Sequence, residues 1–384
     1  MYVEIHLLQS FVPSNLNRDD TGSPKDCEFG GVRRARISSQ CLKRAIRTHP
    51  AFAEATRVPL GTRTKRMIKL VRDKLVAAGK PQDQAEKIAA AFAEKYASKL
   101  DPKTIGPDKE TQTAVLLYLA PSEIEAIAQA LLVKWDDLAG LDEKSLGEVM
   151  LDIAKPLIRA RREVTSAPDI ALFGRMLAEK PELNLDAACQ VAHAISTHRV
   201  TMEMDFYTAV DDLVEEAAEE TGAGMMGVLG YDSACYYRYA RIDWEQLVKN
   251  LDGDAELALR AVDGFLKATL YAVPSGKQNS HAAFNPPSLA LAVVRRDGMA
   301  WNLANAFEQP VRADREGGYV GPSLRALDAY WGDLCTAFGV ADLLAVAALR
   351  CGMKDVDLPN LSAHTVLNEA DWRARVLGAL KNGG

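Results

Sequence analysis

The feature that most restricts the fold is a long gap between strand signals. Residues 2–9 alternate, with Val3, Ile5 and Leu7 against Tyr2, Glu4 and His6, the period of a strand with two distinct faces. Strand character returns only at "SACYYRYARI" and at the apolar run "SLALAVV", residues 288–294. In between, about 55 to 165 reads almost wholly helical. Ala85, Ile88, Ala89, Phe92 and Tyr96 fall at helical spacing, and "SEIE" (122–125) and "SLGE" (145–148) have the pattern of capping boxes. A sheet must therefore be assembled from distant segments, with the helical block inserted between them.

Further helices are expected through "NLDAACQVAHAIS", over about 255–272 with Leu257, Ala261, Phe265 and Leu266 on one face, and at "LRALDAYWGDLCTAF" and "VADLLAVAALRC". The stretch "THRVTMEMDFYTAVDDLVEEAAEETGAGMMGVLG" mixes aromatics, acids and glycines with no sustained period and reads as a projecting arm. With the insertions set aside, the order is strand, helix, strand, strand, helix, strand. That order predicts an α+β, ferredoxin-like (RRM-like) sheet with helices on one face and an open face, a frequent platform for single-stranded RNA.

A chain of 384 residues is long enough for two or three domains. No apolar run approaches the roughly 18 residues of a spanning helix, and "MYVEIHLLQS" has no basic n-region, so no membrane is expected. Cys27, Cys41, Cys189, Cys235, Cys335 and Cys351 are scattered without metal-ligand spacing, which points to reduced thiols, a cytoplasmic chain and no bound metal or cofactor.

Charge is unevenly spread. The chain has 46 Lys+Arg against 52 Asp+Glu, yet "FGGVRRARISSQCLKRAIRTHPAFA", residues 29–53, has cations and no acid. With Ser38 as N-cap, Ile37 can close over Leu42 as a hydrophobic staple. Gln40, Lys43, Arg44 and Arg47 then share one helix face, with Cys41, Leu42, Ala45 and Ile46 toward a core. Arg33, Arg34 and Arg36 stand beside Gly30 and Gly31, where backbone can approach a ligand. Free N–H groups around Ser38 to Gln40 add a dipole that favours an anion. A basic helix face is often only a solvated surface. Here no acid lies at i±4 to neutralise it, and two anion-binding devices converge, so phosphate binding is the better reading. Arg18 and Lys25 extend the track.

Other patterns carry less. "GAGMMG", 222–227, matches a dinucleotide fingerprint by letter, but it follows the acidic "DDLVEEAAEE" instead of a strand and reads as a flexible tip. "PSGKQ", 274–278, lacks the rest of a phosphate loop. His193 and His198 read as core or capping residues. His281, beside Lys277 and Gln278, lacks a partner for general-base chemistry.

The stretch "SNLNRDDTGSPKDCEFGGVRRARISSQCLKRAIR", residues 14–47, closely resembles the N-terminal signature of the CasC family. Those proteins are the backbone subunits of the type I-E CRISPR surveillance complex, Cascade. The resemblance continues in "DIALFGRM", "VAHAISTHRV", "DFYTAVDDL", "YYRYARI", "AAFNPPSL" and "NLANAFEQPV", in the expected order over nearly the whole chain. It implies a palm from 1–54, 166–196 and 234–384, helical fingers over 55–165 and a thumb over 197–233. Copies would line up head to tail along a CRISPR RNA with other Cascade subunits, presenting guide bases in segments to one strand of target DNA in antiviral defence. Ser38, Gln40, Lys43, Arg44, Arg47, Arg18 and Lys25 would hold the RNA backbone, and Arg33, Arg34, Arg36, Lys277 and Gln278 are expected to bind RNA beside them. Phe206 or Tyr207, beside Thr208, would wedge into the bases of a neighbour's RNA, and Met176 would pack on the guide.

The expectation is a subunit without catalysis of its own. Two rivals stand beside it. One cleaves target RNA with a loop aspartate, for which Asp19, Asp20 and Asp26 are available. The other is an RNA-processing endonuclease using His281.

Overall fold

The computed structural model describes residues 1–105, 110–210 and 223–383; the acidic part of the expected arm, 211–222, lies outside them. The chain divides into two compact units. One comprises Met1–Phe52, Val191–Arg241 and Phe265–Gly384, the other Ala53–Gln190 and Ile242–Gly264. The segment 166–190, expected with the sheet, thus groups with the helical block.

The first unit is built on a mixed sheet. Its centre runs in the order Leu289–Arg295, Tyr2–Ser14, Ala223–Asp243, Ala194–Ser196. Tyr2–Ser14 is antiparallel to Leu289–Arg295, from Tyr2 opposite Arg295 to Leu8 opposite Leu289. Beyond Leu289–Arg295 lie Leu343–Arg350 and then Thr365–Val366, and beyond Ala194–Ser196 lie Val32–Ile37 and Asp26–Phe29. A helix, Ser39–Thr48, follows the first strands, and another, Ala255–Tyr271, precedes Leu289–Arg295. Ile5 and Leu7 line a small internal void with Leu42 and Ile46, so the apolar face of the first strand rests on the basic helix.

Among the described residues, the first strand has no open face of the kind expected from the sequence. Glu4, His6 and Gln9 are as fully buried as Val3 and Ile5. Leu8 belongs to a core with Trp301, Leu303, Phe307 and, from helix Val320–Phe338, Leu324 and Trp331. The alternation marks a strand correctly, but its polar face is satisfied inside the protein and not by water. Glu4 accepts from Arg295 Nε at 2.5 Å, the Trp301 N–H at 2.6 Å and the Tyr239 hydroxyl at 3.0 Å. His6 Nδ1 lies 2.9 Å from the Tyr237 hydroxyl. Burial, helped by Arg295, pushes His6 down to about 3, so the ring is neutral at pH 7.

Other expectations change too. "NLDAACQVAHAIS" forms two short strands, Cys189–Val191 and Ala194–Ser196, and "VADLLAVAALRC" supplies the strand Leu343–Arg350. Their alanines and leucines suit a helix locally, but pairing with neighbouring strands decides. Most of "GAGMMG" is the start of the long strand Ala223–Asp243 rather than a tip. The helical block holds a two-stranded sheet, Thr62–Thr64 with Leu117–Leu119, too short to show a period. Its helices are capped elsewhere than expected. Asp142 caps Glu143–Ala160 by accepting from the Ser145 N–H at 2.8 Å, and Glu123 reaches back to the Ala120 N–H at 2.8 Å. No helix among the described residues is long and apolar enough to cross a membrane.

Removing Glu4 leaves the buried Arg295 with Asp342, at 2.8 Å, as its remaining carboxylate partner and strips the Trp301 N–H and the Tyr239 hydroxyl of their acceptor. Glu4→Ala is expected to destabilise the first unit by about 3–5 kcal/mol, read as a shift of the urea midpoint of the full chain.

Candidate nucleic-acid interface

The basic helix forms as its local chemistry dictates. Ser38 is extended and accepts from the Cys41 N–H at 3.3 Å. Ile37 and Leu42, at the staple positions, are both buried in one cluster. Gln40 and Arg44 are exposed, Lys43 and Arg47 half-buried, and Leu42 and Ile46 buried. The Ser38 N–H is not free as expected, because Asn17 Oδ1 accepts it at 2.8 Å. Ser39 and Gln40 are left with N–H groups that have no acceptor among the described residues.

That Asn17 bond clips the preceding loop to the helix start. The Lys25 N–H donates to Asn17 O at 2.9 Å, and the Arg36 N–H to Lys25 O at 2.8 Å. Arg18 is exposed on the same loop. Gly276 closes in from the other side: a β-carbon there would lie 2.3 Å from the Leu16 carbonyl oxygen, which brings the loop carrying Lys277 against the first loop. Arg18, Lys25, Lys43, Arg44 and Lys277 form no ion pair among the described residues. Neither Asn17 nor Gly276 was singled out from sequence, although both stand in segments rich in turn formers.

Several expected contacts are spent inside the fold. Arg34 is fully buried. Its guanidinium donates to the carbonyls of Phe29 (3.0 Å), Ser196 (3.1 Å) and Phe307 (2.7 Å), so it fastens the Val32–Ile37 strand and offers nothing to a ligand. Gly30 approaches no ligand either; a β-carbon there would sit 1.7 Å from the Glu308 carbonyl oxygen. Gln278 uses its amide within its own loop, donating to Pro274 O and accepting from the Ala283 N–H. Arg36 donates to Asp26 O at 3.0 Å and lies 3.0 Å from His193 Nδ1. Arg33 is exposed but paired with Asp26 at 2.6 Å. His198 is buried as expected, whereas His193 is exposed.

The arm is a hairpin, Glu203–Val210 against Ala223–Asp243, with Phe206 opposite Val228 and Tyr207 opposite Gly227. A β-carbon on Gly227 would fall 2.4 Å from the Tyr207 ring, so Tyr207 lies across its own hairpin. Phe206 points to the other face, 62% exposed and near the exposed Met204 and Val228; Thr208 is exposed as well. In the second unit Met176 is 84% exposed. It borders a cavity of about 550 Å³ whose wall includes Arg63, stacked on the Tyr118 ring at 4.6 Å.

The candidate aspartates are occupied to different degrees. Asp19 Oδ1 accepts from the Thr21 N–H and hydroxyl and from the Ser23 N–H within its own turn. Asp26 pairs with Arg33, and Asp20 is exposed.

Fold and site together define an α+β protein in which Arg18, Lys25, Lys43, Arg44 and Lys277, none of them in an ion pair among the described residues, are grouped by the first loop, the helix start and the approach of Gly276. A family model described as CT1975-like protein matches residues 3–371. The chain therefore belongs to the CT1975-like family of CRISPR-associated proteins, and the likeness to CasC-family backbone subunits holds at that level. A solved chain of a "CRISPR RNA-guided surveillance complex, pre-nicking" is 31% identical with a TM-score of 0.82, covering 99% of this chain and 100% of that one. A second, from a "CRISPR RNA-guided surveillance complex", is 27% identical with a TM-score of 0.74 over the same shares. No curated protein sequence matches.

Asp232, at the root of the hairpin, accepts from the Tyr236 hydroxyl at 3.0 Å, and burial raises its carboxyl to about 6. A carboxyl whose folded pKa exceeds its unfolded value binds its proton more tightly when folded. Stability therefore falls as pH rises from about 4 to about 6. Asp232→Asn keeps the acceptor and removes the charge. Its stability relative to wild type should rise over that window by up to about 3 kcal/mol and level off above it, measured as urea midpoints at pH 4.5 and 7.5.

Proposed function

We propose that the chain is a non-catalytic, CRISPR RNA-holding backbone subunit of a type I-E surveillance complex, working in the cytoplasm. In this reading copies assemble head to tail along the guide with other subunits and present spacer bases in segments to one strand of target DNA. The observation that carries it is the grouping of Lys43 and Arg44 on the Ser39–Thr48 helix with Arg18 and Lys25 on the loop clipped to it, none of the four in an ion pair among the described residues, in a chain matching surveillance-complex chains along its whole length. Contacts to phosphates carry no sequence information, so one subunit can hold any guide while pairing supplies specificity, as in other RNA-guided effectors.

A ferredoxin-like palm is supported by the central strand order, which is that of a split βαβ pair with its helices at Ser39–Thr48 and Ala255–Tyr271. The second unit corresponds to fingers and the hairpin to the thumb. Of the two thumb aromatics, Phe206 suits the wedge, since Tyr207 is engaged with Gly227. The engagement of Asp19 within its turn and of Asp26 with Arg33 weighs against the RNA-cleaving alternative.

Co-expression with a CRISPR array and the remaining subunits, followed by a denaturing gel of the purified complex, tests this reading. A discrete, intact guide should co-purify with wild type and be lost or much reduced with the Lys43→Ala, Arg44→Ala, Arg47→Ala triple variant. Where residual binding allows a salt titration, losing three phosphate contacts at about 0.7 each should lower the log–log slope by about 2. Full retention of the guide by the variant would remove the helix from the interface, and cleaved RNA products would favour a nuclease.

A further inference from the structure

We propose that Asn15 is a positioning residue that couples the hairpin to the cation-bearing loop. The use of that coupling rests on the RNA-holding reading above; the coupling itself does not.

Asn15 follows the last residue of the first strand and is completely buried. Its Nδ2 donates in two directions, to the Gly22 carbonyl at 2.9 Å and to the Gly230 carbonyl at 2.8 Å. Both neighbours are acceptors, so the amide orientation is forced and both its hydrogens are used. Its Oδ1 is buried without a hydrogen-bond partner. The side chain is thus used for its two donors alone. Those donors supply side-chain hydrogen bonds from one amide to both the loop and the hairpin root. Gly22 is at the turn of the loop that carries Arg18 and Lys25. Gly230 pairs with Met204 where the hairpin leaves the sheet.

Packing reinforces the link. A β-carbon on Gly230 would meet Met202 Sδ and Pro24 Cδ, each at 3.1 Å, so the loop and the hairpin root are already in contact beside the amide. The loop is stiff. Arg18 and Pro24 form a bridge, and Asp19 organises the turn between them. A rigid loop pinned at Gly22 cannot shift to grip or release an anionic strand without pulling on Gly230. Closure of the loop and placement of the hairpin become one event.

Hydrogen exchange of the full chain without RNA tests this, and its outcome is independent of whether a guide co-purifies. In Asn15→Ala, exchange at the hairpin root (201–205 and 228–232) and in the loop (17–25) should rise together by roughly three- to tenfold, the worth of one or two hydrogen bonds. Helix Val320–Phe338 should stay protected. Asp19→Ala, whose lost side-chain hydrogen bonds all lie within the turn, should raise exchange at the hairpin root in the wild-type background and add nothing there when Asn15 is already alanine. A loop that loosens while the root is unchanged would overturn the proposal, as would an Asp19→Ala effect on the root that survives loss of Asn15. If Asn15→Ala fails to fold, Asp19→Ala alone decides, because a silent hairpin root in that variant excludes coupling.

Discussion

The buried pair of Glu4 and Arg295 sets the terms for the rest of the molecule. It joins the first strand to the strand beside it, and the other carboxylate oxygen of Glu4 accepts from both the Trp301 N–H and the Tyr239 hydroxyl. Such a pair is expensive to desolvate. Its satisfaction allows a layer containing Trp301, Phe307 and Trp331 to close over the sheet face that carries it. With Leu42 and Ile46 of the Ser39–Thr48 helix beside Ile5 and Leu7 as well, neither face of the first strand is open to a ligand among the described residues. Whatever binds must do so at the loops and helix starts where the strands end, and the unpaired cations are found there.

Burial also sorts the arginines into two kinds. Arg34, Arg238 and Arg295 are buried and act as cross-links: Arg34 binds backbone carbonyls, Arg238 binds Gln9 at 2.5 Å and Arg295 binds Glu4. Arg18 and Arg44 are exposed and without ion pairs. A count of charge in residues 29–53 treats these kinds alike. The cationic surface is correspondingly smaller than the composition of that stretch implies, and displaced toward the loop that precedes it.

What could be read from sequence follows from the range of the interactions involved. The Ser38 cap, the Ile37–Leu42 staple and the polar face at Gln40, Lys43, Arg44 and Arg47 are set within one turn or two, so spacing alone reveals them. The roles of Arg34, Gly30 and Gly276 depend on Phe307, Glu308 and Leu16, which lie hundreds of residues away in sequence and carry no local signature. Leu343–Arg350 shows the same limit for secondary structure. Its composition favours a helix, and its pairing with Leu289–Arg295 overrides that preference. The open face failed for a similar reason, since Glu4 and His6 look like solvent-facing residues until their partners at 295 and 237 are known.

The hairpin shows how a neutral device can complement a charged one. Cations on the loop and helix attract any phosphate chain equally and impose no spacing along it. Phe206 has the opposite character: apolar, exposed, and held on a strand whose next aromatic, Tyr207, is locked over Gly227. A ring so placed gains little from phosphates but can insert between stacked bases, which have π-faces regardless of sequence. Under the function proposed above, charge would supply affinity along the strand and one aromatic per copy would set a period. Neither contact would read a base edge, so under the function proposed above a guide of any sequence could be held and divided into regular segments.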